Sequence, residues 1–347
     1  MKNITIILLL FISNLIFSQE KFDNEKGIEN IENYNKEEII TNVKKTTTVY
    51  GTFDENIKLY GTLLTPKTKF DKILVIISGT GKISQKGHNY LTEYFLQNNI
   101  GVFRFDKRGV GKSNGEYNDF FQIYTSDFIK VIQELKKSKS FLSKKIGFLG
   151  HSLGGIASIQ AVENNIKPDF LVQWSAPIGK PREITKFQIE KGIRNYDEYI
   201  FGNNIEEKIN TLNYFHKLVD ENPNKTSWEI WKSRKKDLRK KGINKNAFFD
   251  YLMPHKLAFS RLDNRETYRK IDFPTLVIIG EEDILVDQKK SKTELDKIGN
   301  PNIEFKQIDG LNHFMTKKRV DWKTNEIYNV DLFFKEYIVN WINELKI

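Results

Sequence analysis

One serine of this chain lies in a setting suited to covalent chemistry, the pentapeptide Gly150-His151-Ser152-Leu153-Gly154. An apolar run at residues 145–149 precedes it, and residues 153–163 follow with a helix-forming composition. A G-x-S-x-G sequence between a strand and a helix is typical of a nucleophile elbow, a tight turn that accepts only small residues two positions before and after the serine. The pattern therefore predicts that Ser152 is a nucleophile that attacks carbonyl carbon.

A serine hydroxyl is a weak nucleophile and needs a positioned base. His313 lies in the loop Asp309-Gly-Leu-Asn-His313, directly after a predicted strand at residues 303–308. Because an open α/β sheet places its reactive groups in loops at the carboxyl ends of its strands, we predict that His313 is the base. The other four histidines lie at a predicted helix start, inside the elbow or in a later helical segment, where packing or solvation is expected (His88, His151, His216 and His255).

The base in turn needs an acid that fixes its tautomer and stabilises the imidazolium. A predicted strand at residues 275–279 ends in an acidic loop, and we choose Asp283 from it, with Glu282 and Asp287 as alternatives. The order Ser152, Asp283, His313 is one of the orders in which such triads occur.

Acyl transfer also requires hydrogen-bond donors for the oxyanion of the tetrahedral intermediate. The backbone N–H of Leu153, the residue after the nucleophile, is one predicted donor. The second is expected from the loop Ser78-Gly-Thr-Gly-Lys82, with Thr80 preferred and Gly81 as the alternative. A phosphate-binding loop is disfavoured, because the spacer and the G-K-[ST] ending of a P-loop are missing.

Strand-like and helix-like segments alternate along most of the chain and predict an α/β fold with a mainly parallel, doubly wound sheet. The predicted strands cover residues 46–53, 57–65, 73–78, 101–105, 145–149, 170–174, 275–279 and 303–308, and the predicted helices cover residues 88–98, 119–136, 153–163 and 330–345. The first two strands are expected to form an antiparallel hairpin that turns at Asp54-Glu-Asn56.

The first 45 residues have a different character from the rest. Residues 1–18 combine a basic start with an apolar stretch and then turn polar, which predicts a signal peptide cleaved after Ser18 and a protein that is periplasmic or secreted. Residues 19–45 are charged and are expected to form a flexible arm. The hydrolase core is then predicted at residues 46–177 and 263–347, interrupted by a helical cap at residues 178–262.

The chain has 347 residues, a formal net charge of +10 and no cysteine. The missing cysteine excludes disulfides, thiolate metal ligands and a cysteine nucleophile. Residues 178–262 hold 18 Lys and Arg against 11 Asp and Glu, a net charge of +7. No nucleic-acid motif accompanies this charge, so a solvated helix surface is the first interpretation and a weak contact with an anionic envelope surface the second.

Taken in order, these motifs resemble the α/β-hydrolase superfamily, and within it the bacterial branch of serine-aminopeptidase-like and esterase-like proteins. The segment from Asp106 to Ser113 looks like the D-x-R-G-x-G-x-S sequence of that branch, in which Asp106 and Arg108 would shape a turn. The resemblance implies an α/β-hydrolase fold, with the insertion as a helical cap over the active site. The cap aromatics would pack the cap onto the sheet or line a substrate pocket.

The expected function is therefore that of an exported serine hydrolase that cleaves carboxylic esters of small molecules without a metal or organic cofactor. An aminopeptidase or amidase acting on a short peptide-like substrate is the alternative, and would need an anchor for the peptide terminus such as Glu206, Glu207 or Asp220. Thioesterase activity is less natural for an exported protein. A non-catalytic binding protein on the same scaffold is the remaining alternative from another class.

Overall fold

A single mixed sheet forms the centre of the computed structural model, which describes residues 33–193, 202–317 and 329–347. The strands are β1 (Tyr34–Thr48), β2 (Gly51–Pro66), β3 (Lys72–Ile77), β4 (Ile100–Phe105), β5 (Lys145–His151), β6 (Phe170–Trp174), β7 (Thr275–Gly280) and β8 (Ile303–Ile308). The helices are α1 (Asn89–Gln97), α2 (Phe121–Leu135), α3 (Lys139–Leu142), α4 (Leu153–Glu163), α5 (Glu183–Glu190), α6 (Ile205–Asp220), α7 (Ser227–Lys240), α8 (Lys245–Tyr251), α9 (Pro254–Arg261), α10 (Arg265–Lys270), α11 (Gln288–Ile298) and α12 (Leu332–Glu344). The predicted signal peptide lies outside the described residues.

The strands are ordered β1-β2-β4-β3-β5-β6-β7-β8 across the sheet. Strands β3 to β8 run parallel to one another, whereas β2 pairs antiparallel with both β1 and β4. This arrangement confirms the predicted α/β-hydrolase fold with a mainly parallel sheet and an antiparallel hairpin at its start. The carboxyl ends of β3, β5, β7 and β8, where the candidate site residues were predicted, therefore share one edge of the sheet.

The prediction of a flexible arm up to residue 45 is wrong for residues 34–45, which belong to β1. This strand is at the edge of the sheet, so one of its sides and much of its surface face solvent, and charged residues suit such a position. Only a few of its side chains are buried, among them Thr41 and Val43. A sparse buried pattern among charged residues has the composition of a disordered segment, and this explains the error.

The hairpin turn also lies several residues earlier in the chain than predicted. Thr48 pairs with Gly51, so the turn consists of Val49 and Tyr50. The predicted turn at residues 54–56 instead lies within β2, where the register between the two strands shifts. A bulge uses the same polar residues as a turn because it also leaves backbone groups unpaired. Here it brings Glu55 to Arg108, with 3.1 Å between the carboxylate and the guanidinium.

The two faces of the sheet bury separate apolar layers. Along β3, Ile73, Val75 and Ile77 point to the layer under α2 and α4, and Leu74 and Ile76 point to the layer under α1 and α12. Every residue of β3 is buried, as expected for a central parallel strand covered by helices on both faces. The two layers fix the strands, and thereby the positions at which the loops leave them.

Helices α5 to α10 occupy the chain between β6 and β7. Helices α6, α7 and α8 pack around an apolar cluster of their own, which includes Phe215, Trp231 and Phe248. These three aromatics therefore pack within the helical segment, and Trp228 is exposed on its surface. None of the helices in the part of the chain that the structure describes is both long and apolar enough to cross a membrane.

Candidate active site

Ser152 stands in a strained turn between β5 and α4. Its φ of 53° and ψ of −114° lie in a region that L-residues seldom adopt, as a nucleophile elbow requires. A Cβ at Gly150 would lie 2.7 Å from the Gly154 carbonyl oxygen, and a Cβ at Gly154 would collide with the Ile77 carbonyl. Sterics therefore require glycine at both positions, as the elbow sequence predicted.

Trp174, at the end of β6, holds both the serine and the histidine through hydrogen bonds. The Ser152 N–H donates to the Trp174 carbonyl at 2.9 Å, and the Trp174 indole N–H donates to the His313 carbonyl at 3.1 Å. His151 packs on the indole with 4.1 Å between ring centroids, and its Nε2 is 3.3 Å from the same His313 carbonyl. Burial lowers the pKa of His151 well below its usual value, and the neighbouring His313 acts in the same direction.

His313 and Asp283 form a buried pair. The Nδ1 atom of His313 is 2.8 Å from Oδ2 of Asp283, and the other oxygen, Oδ1, accepts the N–H groups of Leu285 and Val286 at 2.8 Å each. Both side chains are buried. Since an ionised carboxylate only accepts hydrogen bonds, the neutral imidazole carries its proton on Nδ1 and leaves Nε2 as an acceptor. This is the tautomer that a general base needs to take a serine proton.

The two alternative acids have other positions. Asp287 caps the start of α11 by accepting the N–H of Lys290 at 2.9 Å, and Glu282 is exposed. Of the three acids weighed from the sequence, Asp283 is the one that contacts His313. Glu282 is one residue and Asp287 four residues from Asp283 in the same loop, so the choice among the three depends on side-chain geometry.

The loop after β3 distinguishes between the two candidate oxyanion donors on it. The Gly81 N–H donates to Oδ2 of Asp119 at 2.8 Å and is therefore already engaged. Within the described residues, the Thr80 N–H has no hydrogen-bond acceptor of its own. The Leu153 N–H belongs to the first turn of α4, where backbone N–H groups find no partner within the helix. The arrangement thus leaves the Thr80 and Leu153 amides available, as the sequence favoured.

The loop after β4 contains both expected and unexpected contacts. Asp106 accepts the backbone N–H of Gln85 at 2.7 Å and that of Lys112 at 3.0 Å, while Arg108 pairs with Asp127 at 2.7 Å. These contacts agree with the turn-forming roles that the sequence motif suggested. The sequence analysis did not single out Lys107, whose ammonium lies against the loop after β3. Its place after a parallel strand was the signal that could have identified it.

The three remaining histidines of the sequence pack against side chains other than those of the proposed triad. His88 is buried near Trp174, His216 lies 3.2 Å from Glu183, and His255 stacks on Phe120 with 3.8 Å between ring centroids. Within residues 33–193, 202–317 and 329–347, no group of three or more His, Asp and Glu side chains is placed to hold a metal ion.

Comparison with known proteins bears on the family and the fold. The model of a family described as serine aminopeptidase, S33, matches residues 68–318. None of the curated proteins matches the chain. Among solved structures, an esterase from Pyrococcus furiosus has 18% identity and a TM-score of 0.54, with 91% of this chain and 94% of that chain covered. A hypothetical protein from Pseudomonas aeruginosa has 15% identity and a TM-score of 0.52, with 90% and 94% covered. At these identities the likeness shows a common fold.

Proposed function

The chain belongs to the serine aminopeptidase S33 family of α/β hydrolases, and from this premise we propose that it cleaves carboxylic esters through an acyl-enzyme on Ser152. The observation that carries the proposal is the buried pair of His313 and Asp283 at the same sheet edge as the strained elbow. A serine, a base with its Nε2 atom unprotonated and an orienting carboxylate are the components of a nucleophilic triad. We assign these roles to Ser152, His313 and Asp283.

The reaction proceeds in two half-reactions. Nε2 of His313 takes the proton of Ser152 Oγ as Oγ bonds to the ester carbonyl carbon, and the resulting oxyanion accepts hydrogen bonds from the Leu153 and Thr80 amides. When the tetrahedral intermediate collapses, the C–O bond to the leaving alcohol breaks, and the alkoxide takes the proton from His313. A water then gives its proton to His313 and attacks the acyl carbon. Collapse of the second intermediate returns that proton to Ser152 and releases the acid.

An ester suits this site better than a peptide with a free amino terminus. Aminopeptidase action needs a carboxylate to anchor the substrate ammonium. Of the candidate anchors, Asp220 is bound by Arg182 at 2.6 Å and by Lys180 at 3.3 Å, and the hydrogen bond from Arg182 lowers its pKa. Glu207 accepts the N–H of Asn203 at 2.8 Å at the start of α6. Asp220 and Glu207 are thus engaged in structural contacts, and Glu206, the third candidate, is exposed in the first turn of α6. The family description favours aminopeptidase action as the second candidate.

Hydrolysis of a p-nitrophenyl ester series from acetate to palmitate tests the proposal. We expect turnover by the purified protein and its loss in Ser152→Ala, with Ser158→Ala as a control because Ser158 is a buried serine of α4 that donates to the Gly155 carbonyl at 2.8 Å. If the protein hydrolyses no ester but a fluorophosphonate still labels Ser152, aminoacyl p-nitroanilides become the substrates of choice. If Ser152 is not labelled either, the triad assignment is wrong.

We further propose that the protein is exported and loses residues 1–18, as the sequence pattern predicts. Its support is the charge and hydropathy pattern alone, since these residues lie outside the described ranges. N-terminal sequencing of the protein recovered from its native host tests it: a start at Gln19 supports cleavage, and a start at Met1 contradicts it.

We also propose that the basic surface of α7 contacts the anionic lipid surface of a cell envelope. Trp228 is 44% exposed, and its ring lies 5.2 Å from the ammonium of Lys232 and 4.9 Å from that of Lys245. Lys235 and Lys236 are exposed on the same helix. An exposed tryptophan among lysines suits an interface where apolar chains meet anionic headgroups.

A further inference from the structure

A lysine is buried behind the loop that carries the proposed oxyanion donor Thr80. The Lys107 side chain is 2% exposed, and its ammonium donates to the Gly79 carbonyl at 2.8 Å and to Oδ1 of Asp119 at 3.0 Å. The rings of Tyr124 and Tyr117 lie 5.2 Å and 5.5 Å from the same ammonium. Burial lowers the pKa of Lys107, and the charge of Asp119 opposes that shift. Lysine is seldom buried to this degree unless a specific partner compensates for the loss of water.

The carbonyl that accepts this hydrogen bond belongs to the same peptide group as the Thr80 N–H. A trans peptide is planar, so its C=O and N–H point in opposite directions. A donor fixed on the Gly79 oxygen therefore fixes the direction of the Thr80 N–H, which points the opposite way within the same plane. A cation at the oxygen also polarises the peptide, which makes its N–H a stronger hydrogen-bond donor.

The neighbouring peptides of the loop are held as well. Asp119, which pairs with Lys107, accepts the Gly81 N–H at 2.8 Å and also the Tyr117 hydroxyl. On the other side, the Tyr124 hydroxyl donates to the Ser78 carbonyl at 3.0 Å. The loop from Ser78 to Gly81 is thus fixed at three consecutive points, and the Thr80 amide lies between two of them.

We propose that Lys107 is a positioning residue for the oxyanion hole, orienting and polarising the Gly79–Thr80 peptide, with Asp119 holding Lys107 in place. The inference rests on the proposed acyl-transfer function of Ser152. It assigns to Lys107 an effect on the transition state, because the oxyanion exists there and not in the bound ester.

The test replaces the buried pair as a unit with Lys107→Met and Asp119→Asn together. Lys107→Met alone leaves a buried carboxylate without its cation and is expected to destabilise the fold. In the double variant, the Asn oxygen still accepts the Gly81 N–H. Lys144→Met is the matched control, since Lys144 also donates to a backbone carbonyl, that of Phe70, at 2.8 Å, but away from the candidate site.

We expect kcat for p-nitrophenyl acetate to fall about 10- to 100-fold in the double variant, somewhat less than the loss of an entire oxyanion donor. KM should change by less than about threefold, because the ground-state ester is not affected. The rate of Ser152 labelling by a fluorophosphonate should fall in parallel, while the final labelled fraction stays complete. Lys144→Met should leave both rates unchanged.

A purely structural role would produce a different result. An unchanged labelling rate with a smaller labelled fraction would mean that Lys107 only maintains the fold, and would overturn the proposal. So would a rise in KM without a fall in kcat. If the unmodified protein does not hydrolyse esters, the proposed function fails, but the labelling rate still tests Lys107, because the phosphonyl oxygen occupies the same hole.

Discussion

Replacing Asp283 with Asn tests the whole interpretation of the site with a change of one atom. Oδ1 of Asp283 accepts two backbone N–H groups, from Leu285 and Val286, at 2.8 Å each. In the variant, the amide oxygen must take this place, because the NH₂ group cannot accept hydrogen bonds. The NH₂ group then faces Nδ1 of His313 and donates to it. The imidazole is forced into the tautomer with its proton on Nε2, which cannot accept the serine proton.

The expected loss of kcat follows from the relative free energies of the two orientations of the Asn amide. Rotating the Asn by 180° would restore the active tautomer but would leave two buried N–H groups facing an NH₂ group. An unsatisfied buried donor costs about 1–3 kcal/mol, so the rotated form lies about 2–6 kcal/mol higher. A triad with the wrong tautomer loses about 10⁴-fold in kcat, or about 5 kcal/mol. The free energy of unfolding should change by less than about 1 kcal/mol, because residue 283 keeps the same number of hydrogen bonds in the variant.

The assay is the initial rate of p-nitrophenyl acetate hydrolysis, together with the midpoint of thermal unfolding. Asp287→Asn is the matched control, since Asp287 lies in the same loop but caps α11. It should retain kcat within about threefold, because it does not touch His313. A loss of less than about tenfold in Asp283→Asn, or an equal loss in the control, would refute the assignment of the acid.

Three further predictions follow from other contacts. Trp174→Phe removes the indole donor to the His313 carbonyl but keeps an aromatic ring, so kcat should fall about three- to tenfold, by the value of one neutral hydrogen bond; steady-state kinetics would contradict this if kcat stayed unchanged. Burial, with Arg104 and Lys107 nearby, lowers the pKa of His88 to about 3. The unfolded chain therefore binds one more proton between pH 6.5 and 3, and acidification from pH 6.5 to 5 should lower the free energy of unfolding by about 2 kcal/mol through this residue. Urea unfolding of His88→Gln should show a correspondingly smaller loss, and an identical pH profile would contradict the shift. Finally, Lys235→Glu with Lys236→Glu should abolish cosedimentation with vesicles that contain phosphatidylglycerol and leave p-nitrophenyl acetate hydrolysis unchanged; equal binding by the variant would exclude the α7 surface.

Much of the sheet could be predicted from the sequence because most of its strands are short, are apolar or alternate between apolar and polar residues, and are separated by helices. The predicted strands at residues 170–174 and 303–308 coincide with β6 and β8. Strand β1 was missed for the opposite reason, since it is long, charged and at an edge. The hydrophobic pattern of a sequence indicates which side chains are buried. Where a strand buries only a few side chains, this pattern is too weak to distinguish the strand from an irregular segment.

At the candidate site, the sequence could predict residues whose position along the chain implies their role. Ser152 in its pentapeptide and His313 after the last strand are of this kind. The place of Lys107 after β4 marks it as a candidate, but its target on the loop after β3 could not be predicted in this way. Nor could the contacts of Trp174 and Asp119, because each of these residues acts on a residue from another strand or loop. Their contacts depend on which strands are neighbours in the sheet and on how far a side chain reaches, and neither is encoded in local spacing.

These cross-strand contacts all come from the sheet and the loops that leave it. The Ser152 and His313 backbones are held from β6, and the Thr80 peptide from the loop after β4. The geometry of the proposed acyl transfer is therefore fixed by the sheet edge. Among the described residues, helices α6, α7 and α8 donate no hydrogen bond to the candidate site, and they pack around an apolar cluster of their own. Helix α5 does reach the acid loop, since Gln188 donates to the Leu285 carbonyl at 3.0 Å. Substitutions in α6, α7 and α8, for which the described residues show no such contact, should therefore alter substrate preference more readily than the chemical step.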